Sequence, residues 1–497
     1  EIGFGTGAVK MTPAHDPNDF EVGLRHNLDV IRVIADNGTI NENGGKYNGM
    51  DRYECRKALV KDLEEQGYLV KTEPYSHNVG TCYRCHNDVE PLISAQWFVK
   101  MKPLAEEAIR VIKDGTIRFV PERFSKTYLN WMENVHDWCI SRQLWWGHRI
   151  PVFHCDACGW EDALMEDTDV CPVCGSHEVR QEEDVLDTWF SSQLWTFATQ
   201  GWPDHPDELV GHHPTKVLVT ARDIIALWVA RMIMSSLYFI GEIPFEDVFI
   251  YATILAKDGS RMSKSKGNVV SPESLIDEYG VDAARACILF MAPPDKDLQW
   301  DDKSCAAMAR FLKRAWGQVW SLADATGPAD DGQLAKELNR QMHATIKKVG
   351  ADIERFNFNT ALASIMELSN TTADYLNATA EDARDKELCR AVATTLVLLL
   401  APYAPHWADE LWTEALGNEG SAYDVAWPSF DEEATKADEV ERAVMIGGKV
   451  RGHITTAADA SEDEIVDAAL AAVADRIEGL TVRKTIVAPT VVNVVAN

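Results

Sequence analysis

The spacing of apolar residues changes near residue 306 of this 497-residue chain. Upstream, short apolar runs such as 217–220 and 248–251 alternate with helical patterns, which predicts an α/β arrangement. Downstream, apolar residues such as Phe358 and Leu362 recur on one helical face, which predicts a bundle of helices. A chain of this length exceeds what one hydrophobic core supports. We therefore predict a multidomain α/β protein that ends in a helical region and a small α+β domain. Shorter patterns predict a β-like run at 30–34, a helix at 53–66, a hairpin at Gly447-Gly448 and a helix that Ser461 caps, with Glu464 at the capping-box position.

The composition is acidic, with a formal net charge of −30. This charge argues against a general nucleic-acid binder, because such proteins gain affinity by neutralising phosphates. Acidity of the whole does not exclude RNA, however, since residues 100–149 are richer in Lys and Arg than in Asp and Glu. The composition is therefore compatible with a local basic surface on an acidic protein.

No apolar run is long enough to cross a bilayer. The closest candidate, 217–240, is interrupted by Arg222, Asp223 and Arg231 and predicts a buried strand and helix. The chain starts at Glu1 with neither an initiator Met nor a signal segment. We expect it to be part of a longer cytoplasmic protein.

The chain contains 11 cysteines, and six of them form Cys-x-x-Cys pairs. In a chain without a secretory signal, such pairs indicate reduced thiols and metal binding. Two pairs separated by twelve residues have the spacing of a zinc ribbon, in which four thiolates bind one Zn²⁺ ion; they are Cys155, Cys158, Cys171 and Cys174. Four unligated thiols are the alternative. The third pair, Cys82 and Cys85, supplies only half of such a site.

The densest group of cations and hydroxyls is Ser-Arg-Met-Ser-Lys-Ser-Lys-Gly-Asn at 260–268, here called the signature loop. Such a loop can close over a triphosphate and stabilise the charge on leaving pyrophosphate, whereas a solvated basic turn is the simpler alternative. The string resembles the lysine-methionine-serine-lysine-serine signature of class I aminoacyl-tRNA synthetases, with Arg261 replacing the first lysine. The resemblance implies that Lys264 contacts ATP, which is bound with Mg²⁺. It also implies that Arg261, Ser263 and Ser265 complete the catalytic loop.

A second motif is Asp-Val-Leu-Asp-Thr-Trp-Phe-Ser-Ser at 184–192. Carboxylates beside aromatic rings can hold a cationic amine next to an apolar pocket, although a capped helix start with core aromatics gives the same pattern. The segment is similar to the part of valyl-tRNA synthetases that lines the amino-acid pocket. By that resemblance, Asp187 and Trp189 contact the substrate.

A third motif, Val-Thr-Ala-Arg-Asp at 219–223, follows an apolar β-type run. The carboxyl ends of strands are where nucleotides bind in open α/β sheets. The family resemblance implies that Asp223 approaches the adenosine of ATP. Ala221 stands where the family has Gly, and its Cβ restricts close approach of the backbone to a ligand.

Tryptophan and basic residues are concentrated in 131–151, a near-identical match to valyl and isoleucyl enzymes. The tryptophans with Arg142, His148 and Arg149 suit stacking and phosphate contact beneath a tRNA acceptor end. A Trp-rich core with arginines on its surface is equally consistent with this composition. The resemblance makes tRNA the expected partner.

Residues 5–20 combine a Gly-rich turn with Lys, Thr, His and Asp, a polar set that can hold an amine and position a water. Most such segments are ordinary turns. This one resembles the end of the hydrolytic editing site of valyl-tRNA synthetases. The resemblance implies that Asp19 anchors the substrate amino group, while Lys10, Thr12 and Asp16 line the pocket. A valine pocket cannot strongly reject threonine, so a second site must hydrolyse the error.

The resemblance covers nearly the whole chain, with a drift toward leucyl enzymes after residue 251. It implies, in order, part of a β-rich editing domain, the second half of a Rossmann catalytic domain with a zinc ribbon, an α-helical anticodon-binding domain, and a small C-terminal tRNA-contacting domain of leucyl type. The ranges are 1–75, 76–305 (ribbon 155–174, loop motif 261–265), 306–430 and 441–497.

The implied reaction is ATP-dependent activation of valine and its transfer to tRNA, with editing of threonyl-tRNA, by an enzyme expected to be a monomer. The His-x-Gly-His signature that accompanies the lysine motif in class I enzymes is absent from the sequence. We therefore expect this chain alone not to form the adenylate. A leucyl or isoleucyl enzyme remains an alternative, as does a non-catalytic tRNA-binding fragment or paralogue.

Overall fold

A computed structural model of the protein describes residues 7–82, 85–293, 296–436, 439–479 and 481–496. The chain forms two compact units. The first unit comprises Glu1–Met101 and His136–Phe190, and the second comprises Lys102–Val135 and Ser191–Asn497. Within the described ranges, no helix has both the length and the apolarity to span a membrane.

Strands and helices alternate up to about residue 300, helices then dominate, and a small sheet with its own helix closes the chain. The helices are Pro17–His26 (α1), Arg52–Glu65 (α2), Met101–Lys113 (α3), Arg123–Glu133 (α4), Thr188–Ser192 (α5), Trp195–Ala198 (α6), Ala230–Phe239 (α7), Pro272–Tyr279 (α8), Val281–Phe290 (α9), Asp302–Ala323 (α10), Gln333–Glu354 (α11), Phe358–Ala378 (α12), Lys386–Leu400 (α13), Pro405–Glu410 (α14), Glu462–Ala472 (α15) and Ala474–Ile477 (α16). The strands are Phe98–Val99 (β1), Arg118–Val120 (β2), Trp138–Cys139 (β3), Ser141–Arg142 (β4), Val152–Cys155 (β5), Glu161–Ala163 (β6), Val179–Gln181 (β7), Val185–Leu186 (β8), Thr215–Ala221 (β9), Phe245–Tyr251 (β10), Ile254–Leu255 (β11), Leu298–Gln299 (β12), Glu439–Ile446 (β13), Lys449–Ala457 (β14), Val482–Val487 (β15) and Val491–Ala496 (β16).

The first unit contains short antiparallel pairs and two helices near its start. The helix predicted from residue 53 to 66 is confirmed as α2, which Asp51 caps by accepting from the backbone N–H of Tyr53. The β-like run at 30–34 is not a strand, because only Ile34 forms a bridge, to Ile40. An apolar run becomes a strand only where a partner completes its hydrogen bonds, and here Val30 and Ile31 are exposed to solvent.

The second unit contains a parallel sheet with the order β2, β10, β9. The central strand β10 is buried on both faces, as is usual when helices cover a parallel sheet. Both apolar runs predicted as strands, 217–220 and 248–251, are confirmed within β9 and β10. Because these two strands are parallel, their carboxyl ends meet at one edge of the sheet.

The helices α8 to α14 share one hydrophobic core, which extends from Leu275 to Ala422. The predicted helical face of α12 is confirmed, since Leu362 and Ile365 are fully buried. The core runs without a break past residue 306, where the sequence pattern changes. The helical region therefore packs continuously onto the end of the α/β part of this unit.

The C-terminal segment forms a four-stranded sheet with the order β14, β13, β16, β15, covered by α15. The predicted hairpin is confirmed, with Gly447 and Gly448 joining β13 and β14 at positive φ. The predicted capping box is confirmed as well: the Ser461 hydroxyl accepts from the Glu464 backbone, and the Glu464 carboxylate accepts from the Ser461 N–H.

A buried carboxylate joins α11 to α12. Asp352 is 4% exposed and accepts hydrogen bonds from Lys348 Nζ at 2.7 Å and from Thr360 Oγ1 at 2.8 Å. Burial raises its pKa, but these donors and the charge of Arg355 outweigh burial, so the pKa lies below its usual value. The carboxylate therefore stabilises the fold while it is ionised.

We predict that Asp352→Asn weakens the α11–α12 hairpin by about 1–3 kcal/mol, the usual cost of losing hydrogen bonds to a charged group. Hydrogen exchange of peptides from these helices measures the local opening free energy. Because the folded pKa is lowered, the difference from wild type should be complete at pH 7 and shrink as pH falls below about 4. Asp374→Asn, at an exposed position of α12, is the control. An equal effect of both variants would contradict the role of Asp352.

Candidate functional site

The parallel pairing of β9 and β10 brings two chain segments to one edge of the sheet. Ala221 lies opposite Tyr251 at the ends of the two strands. A 3-10 turn, Arg222–Ile224, follows β9, and the short strand β11 follows β10 and leads to the signature loop. Asp223 and the loop, which are far apart in sequence, therefore become neighbours.

Asn268 organises the signature loop from its end. Its side-chain Oδ1 accepts from the Ser263 backbone at 2.8 Å, and its Nδ2 donates to Ser260 Oγ at 2.9 Å. A 3-10 turn, Lys264–Lys266, then ends at Gly267, whose φ of 65° is in the left-handed region that glycine adopts most readily. The loop is thus a closed turn and not an extended segment.

Cations of the loop lie beside carboxylates at the strand ends. Arg261 forms an ion pair with Asp223, and Leu255 forms a bridge with Arg261. Lys264 is exposed and has no ion-pair partner among the described residues. The side chain of Ser265 lies outside the described part of the structure. The structure thus brings Arg261 and Asp223 together and leaves Lys264 accessible to an anionic ligand.

Two residues that sequence reasoning missed complete this cluster. Arg222 Nη2 lies 3.0 Å from Asp297 Oδ2, and Asp297 Oδ1 accepts from the Thr253 backbone at 3.0 Å. The hydrogen bond from the Thr253 N–H is the largest cause that lowers the pKa of Asp297 below its usual value. The charges of Arg222 and Arg261 lower this pKa further. No motif marks Asp297, which is 74 residues after Asp223 in the sequence.

Asp187 is a buried carboxylate in the first unit and is 8% exposed. It accepts hydrogen bonds from Arg142 Nη2 at 2.8 Å and from Trp138 Nε1 at 3.0 Å. Trp189, two residues further, is half-buried. Since Asp187 holds an arginine, the geometry favours a positioning role for it, and direct contact with a substrate amine stays a prediction.

The four residues predicted to line an editing pocket lie within one turn and the start of α1. Asp19 Oδ2 accepts from the Thr12 backbone at 2.7 Å and from Thr12 Oγ1 at 3.1 Å. Lys10 Nζ is 3.3 Å from Thr12 Oγ1. Asp16 caps α1 by accepting from two backbone N–H groups. The structure therefore brings Lys10, Thr12 and Asp19 together, whereas Asp16 stabilises the start of α1.

His15 anchors this turn to the rest of the first unit. Its Nε2 accepts from the Val33 backbone at 2.9 Å, and its Nδ1 is 3.2 Å from the Pro91 carbonyl. Those two contacts require a neutral imidazole with its proton on Nδ1. Nothing in the sequence distinguishes this histidine from the other polar residues of the turn.

The two Cys-x-x-Cys turns meet beside the sheet β6, β5, β7. Their four sulfur atoms all lie within 4.8 Å of one another. The pairs Cys155–Cys174 and Cys158–Cys171 have sulfur–sulfur distances of 3.7 Å. Burial opposes ionisation of Cys171, but backbone N–H groups that point at its sulfur lower its pKa to about 7. The arrangement can hold one metal ion.

The third Cys-x-x-Cys pair is Cys82 and Cys85. Cys82 accepts from the His86 backbone in a tight turn, and Cys85 is exposed. Among the described residues, no third His, Cys, Asp or Glu joins this pair in a possible metal site. Cys82 and Cys85 therefore stay a candidate half-site.

The Trp-rich segment ends in an exposed tip. Trp145 and Trp146 are almost fully exposed, at 106% and 93%. Gly147 packs so tightly that an added Cβ would lie 2.8 Å from Val185 Cγ2. Large exposed aromatic side chains on a well-fixed turn are typical of surfaces that bind another molecule.

Two family matches cover most of the chain. The family described as tRNA synthetases class I (I, L, M and V) matches residues 30–301, and the anticodon-binding domain of tRNA ligase matches 335–466. The first match includes β9, β10 and the signature loop. The second begins in α11 and ends in α15.

Similar proteins agree with these matches. Proteins named valine--tRNA ligase from Thermotoga maritima and Clostridium perfringens are 43% and 46% identical over 90% and 87% of this chain. The chain spans about half the length of these relatives, 54% and 51%. A solved LeuRS–tRNA–LeuAMS complex from Agrobacterium radiobacter K84 has a TM-score of 0.59 and 25% identity, covering 73% of this chain and 52% of that one. A methionyl-tRNA synthetase of Mycobacterium tuberculosis, at 17% identity, 67% and 65% coverage and a TM-score of 0.52, shares the fold. The chain belongs to the class I tRNA synthetase family that comprises the I, L, M and V enzymes.

Proposed function

We propose that this chain is part of a valine--tRNA ligase, which activates valine with ATP and transfers it to its tRNA. The observation that carries the proposal is the identity of 43–46% to proteins of that name over most of the chain. Because the chain spans about half of those relatives, the complete reaction belongs to the whole protein. The contribution of this chain is the signature loop, the strand ends beside it and the helical region.

The nucleotide site is proposed at the carboxyl ends of β9 and β10. Lys264 is exposed there and would contact the phosphates of ATP, which binds with Mg²⁺. Arg261 and the hydroxyls of Ser263 and Ser265 would stabilise the charge on departing pyrophosphate. Asp223 pairs with Arg261 through Oδ2, and its Oδ1 would accept from a ribose hydroxyl.

Valine recognition and editing are proposed in the first unit. Trp189 would form part of the amino-acid pocket, and Asp187 would act there directly or through Arg142. Lys10, Thr12, Asp16 and Asp19 would form the hydrolytic pocket for threonyl-tRNA. The hydrogen bonds between Thr12 and Asp19 support a preformed polar pocket. A second pocket is needed because threonine and valine have nearly the same shape.

The partner is proposed to be valine-accepting tRNA, bound through the helical anticodon-binding region at 306–430 and the C-terminal domain at 441–497. The exposed tip at Trp145 and Trp146 would stack against the acceptor end. We propose a cytoplasmic monomer. A leucyl or isoleucyl enzyme is the first alternative, supported by the likeness to a LeuRS structure.

Capture of tRNA by the immobilised chain tests the proposed partner. From a total tRNA mixture, we expect valine-accepting tRNA to be enriched about tenfold or more, because each correct base contact contributes about 1–3 kcal/mol of discrimination. Sequencing of the retained RNA is the measurement, at a salt concentration that suppresses non-specific phosphate binding. Enrichment of leucine- or isoleucine-accepting tRNA would support the alternative enzymes, and retention of no tRNA would contradict the proposal.

Titration with Mg-ATP tests the nucleotide site. Lys264→Ala should weaken ATP binding about tenfold, because it removes a charged contact to a phosphate. Lys336→Ala, at an exposed position of α11, removes the same charge elsewhere and should leave the affinity unchanged. Equal affinities of the wild type and both variants would exclude Lys264 from the site. A chain that binds ATP normally and never activates an amino acid when joined to the rest of the enzyme would favour a non-catalytic paralogue.

A structural zinc ion is proposed at Cys155, Cys158, Cys171 and Cys174. A tetrahedron with Zn–S bonds of about 2.3 Å has edges of about 3.8 Å. The observed sulfur–sulfur contacts of 3.7 Å fit that edge length. Four thiolates leave no open position for a substrate, so the ion would stabilise the fold of the ribbon.

Metal analysis tests this site. We expect about one zinc per chain, and Cys155→Ser or Cys171→Ser should remove most of it, because three thiolates bind more weakly than four. Mass spectrometry of the native protein and elemental analysis give the stoichiometry. Cys139→Ser, a cysteine outside the cluster, should leave the zinc content unchanged. Loss of zinc from that control, or its retention in Cys171→Ser, would contradict the assignment.

A further inference from the structure

Asp297 lies where three segments of the second unit meet. Its Oδ1 accepts from the Thr253 backbone at 3.0 Å, and its Oδ2 lies 3.0 Å from Arg222 Nη2. Thr253 precedes β11, Arg222 follows β9, and Asp297 itself precedes β12. One carboxylate therefore joins the root of the signature loop to the end of a sheet strand.

Backbone hydrogen bonds fix the same region. The Leu298 N–H donates to the Thr253 carbonyl at 3.2 Å, and the Trp300 N–H donates to the Leu255 carbonyl at 3.0 Å. Strand β11 pairs with β12, and Leu255 also forms a bridge with Arg261 of the loop. The position of Asp297 thus affects the position of the loop, because backbone hydrogen bonds join β12 to β11 and β11 to Arg261.

The charges at this edge alternate in sign. Arg222 pairs with Asp297, and Arg261 pairs with Asp223. Arg222 and Asp223 are adjacent in the chain, so an arginine that lost Asp297 would have Asp223 as its nearest alternative. Competition for Asp223 would displace Arg261 and with it the signature loop. Each carboxylate thus keeps one arginine in place.

We propose that Asp297 is a positioning residue for the nucleotide site, which fixes the root of the signature loop through Thr253 and reserves Asp223 for Arg261 by holding Arg222. This inference rests on the proposed nucleotide site, although Asp297 has no part in the contacts assigned there to ATP. This positioning role accounts for the presence of a carboxylate beside a site for a polyanion, where the negative charge of Asp297 alone would weaken binding.

Two substitutions separate the hydrogen bond from the charge. Asp297→Asn retains an oxygen that can accept from Thr253 and loses the charge that holds Arg222, whereas Asp297→Ala loses both. In hydrogen exchange of the complete chain without nucleotide, Asp297→Asn should speed exchange in the signature loop about two- to fivefold, the range expected for an exposed ion pair. Residues 253–255 should exchange faster only in Asp297→Ala.

The direction of the change in ATP affinity best distinguishes a positioning residue from a bystander. If Asp297 were a bystander, its neutralisation would tighten binding of Mg-ATP by removing a repulsive charge. A positioning role predicts binding about two- to fivefold weaker, at an unchanged melting temperature. Arg222→Gln removes the competitor for Asp223, so loop exchange should stay near the wild-type rate in this variant. Combined with Asp297→Asn, it should restore loop exchange and ATP affinity toward the wild-type values.

Asp277→Asn, at an exposed position of α8, is the matched control for loss of one negative charge. Tighter or unchanged ATP binding in Asp297→Asn, or loop exchange equal to that of wild type, would overturn the inference. If the wild-type chain bound no ATP, the proposed nucleotide site would fail instead. The exchange measurement would still decide whether Asp297 positions the loop.

Discussion

The parallel pairing of β9 with β10 is the constraint on which the candidate nucleotide site depends. Parallel strands end at the same edge of a sheet, so whatever follows each strand is brought together there. Arg222 and Asp223 follow β9, and the root of the signature loop follows β10. Strand β10 is buried on both faces, and its parallel register with β9 places Tyr251 opposite Ala221.

The helical region contributes to the same edge through shared packing. Phe249 of β10 stacks on Phe356 with ring centroids 4.8 Å apart, and Phe358 at the start of α12 packs against both rings. Phe356 has a φ of 61°, which is unusual for a bulky residue and persists only where surrounding contacts impose it. The turn between α11 and α12 therefore packs directly against β10, the strand that leads to the signature loop.

Sequence patterns predicted the elements that local chemistry determines. The strands 217–220 and 248–251, the helix at 53–66 and the capping box at Ser461 each depend on residues that are close together in the chain, and the structure confirms them. The run at 30–34 failed because strand formation needs a partner elsewhere in the chain, which its own composition does not reveal. The spacing of the two Cys-x-x-Cys pairs predicted a longer-range contact, and the structure brings their four sulfur atoms within 4.8 Å of one another; a bound zinc stays a prediction.

The roles of individual carboxylates could not be predicted from the sequence, because each role depends on which Arg or Lys side chain lies close enough to pair with the carboxylate. Asp187, for which substrate contact stays a prediction, is buried and holds Arg142, 45 residues away. Asp297, which no sequence motif marks, holds Arg222 across 75 residues. In both cases a carboxylate sets the position of an arginine near the end of a strand. In a chain with a net charge of −30, each of these two carboxylates is paired with an arginine, which offsets its negative charge locally.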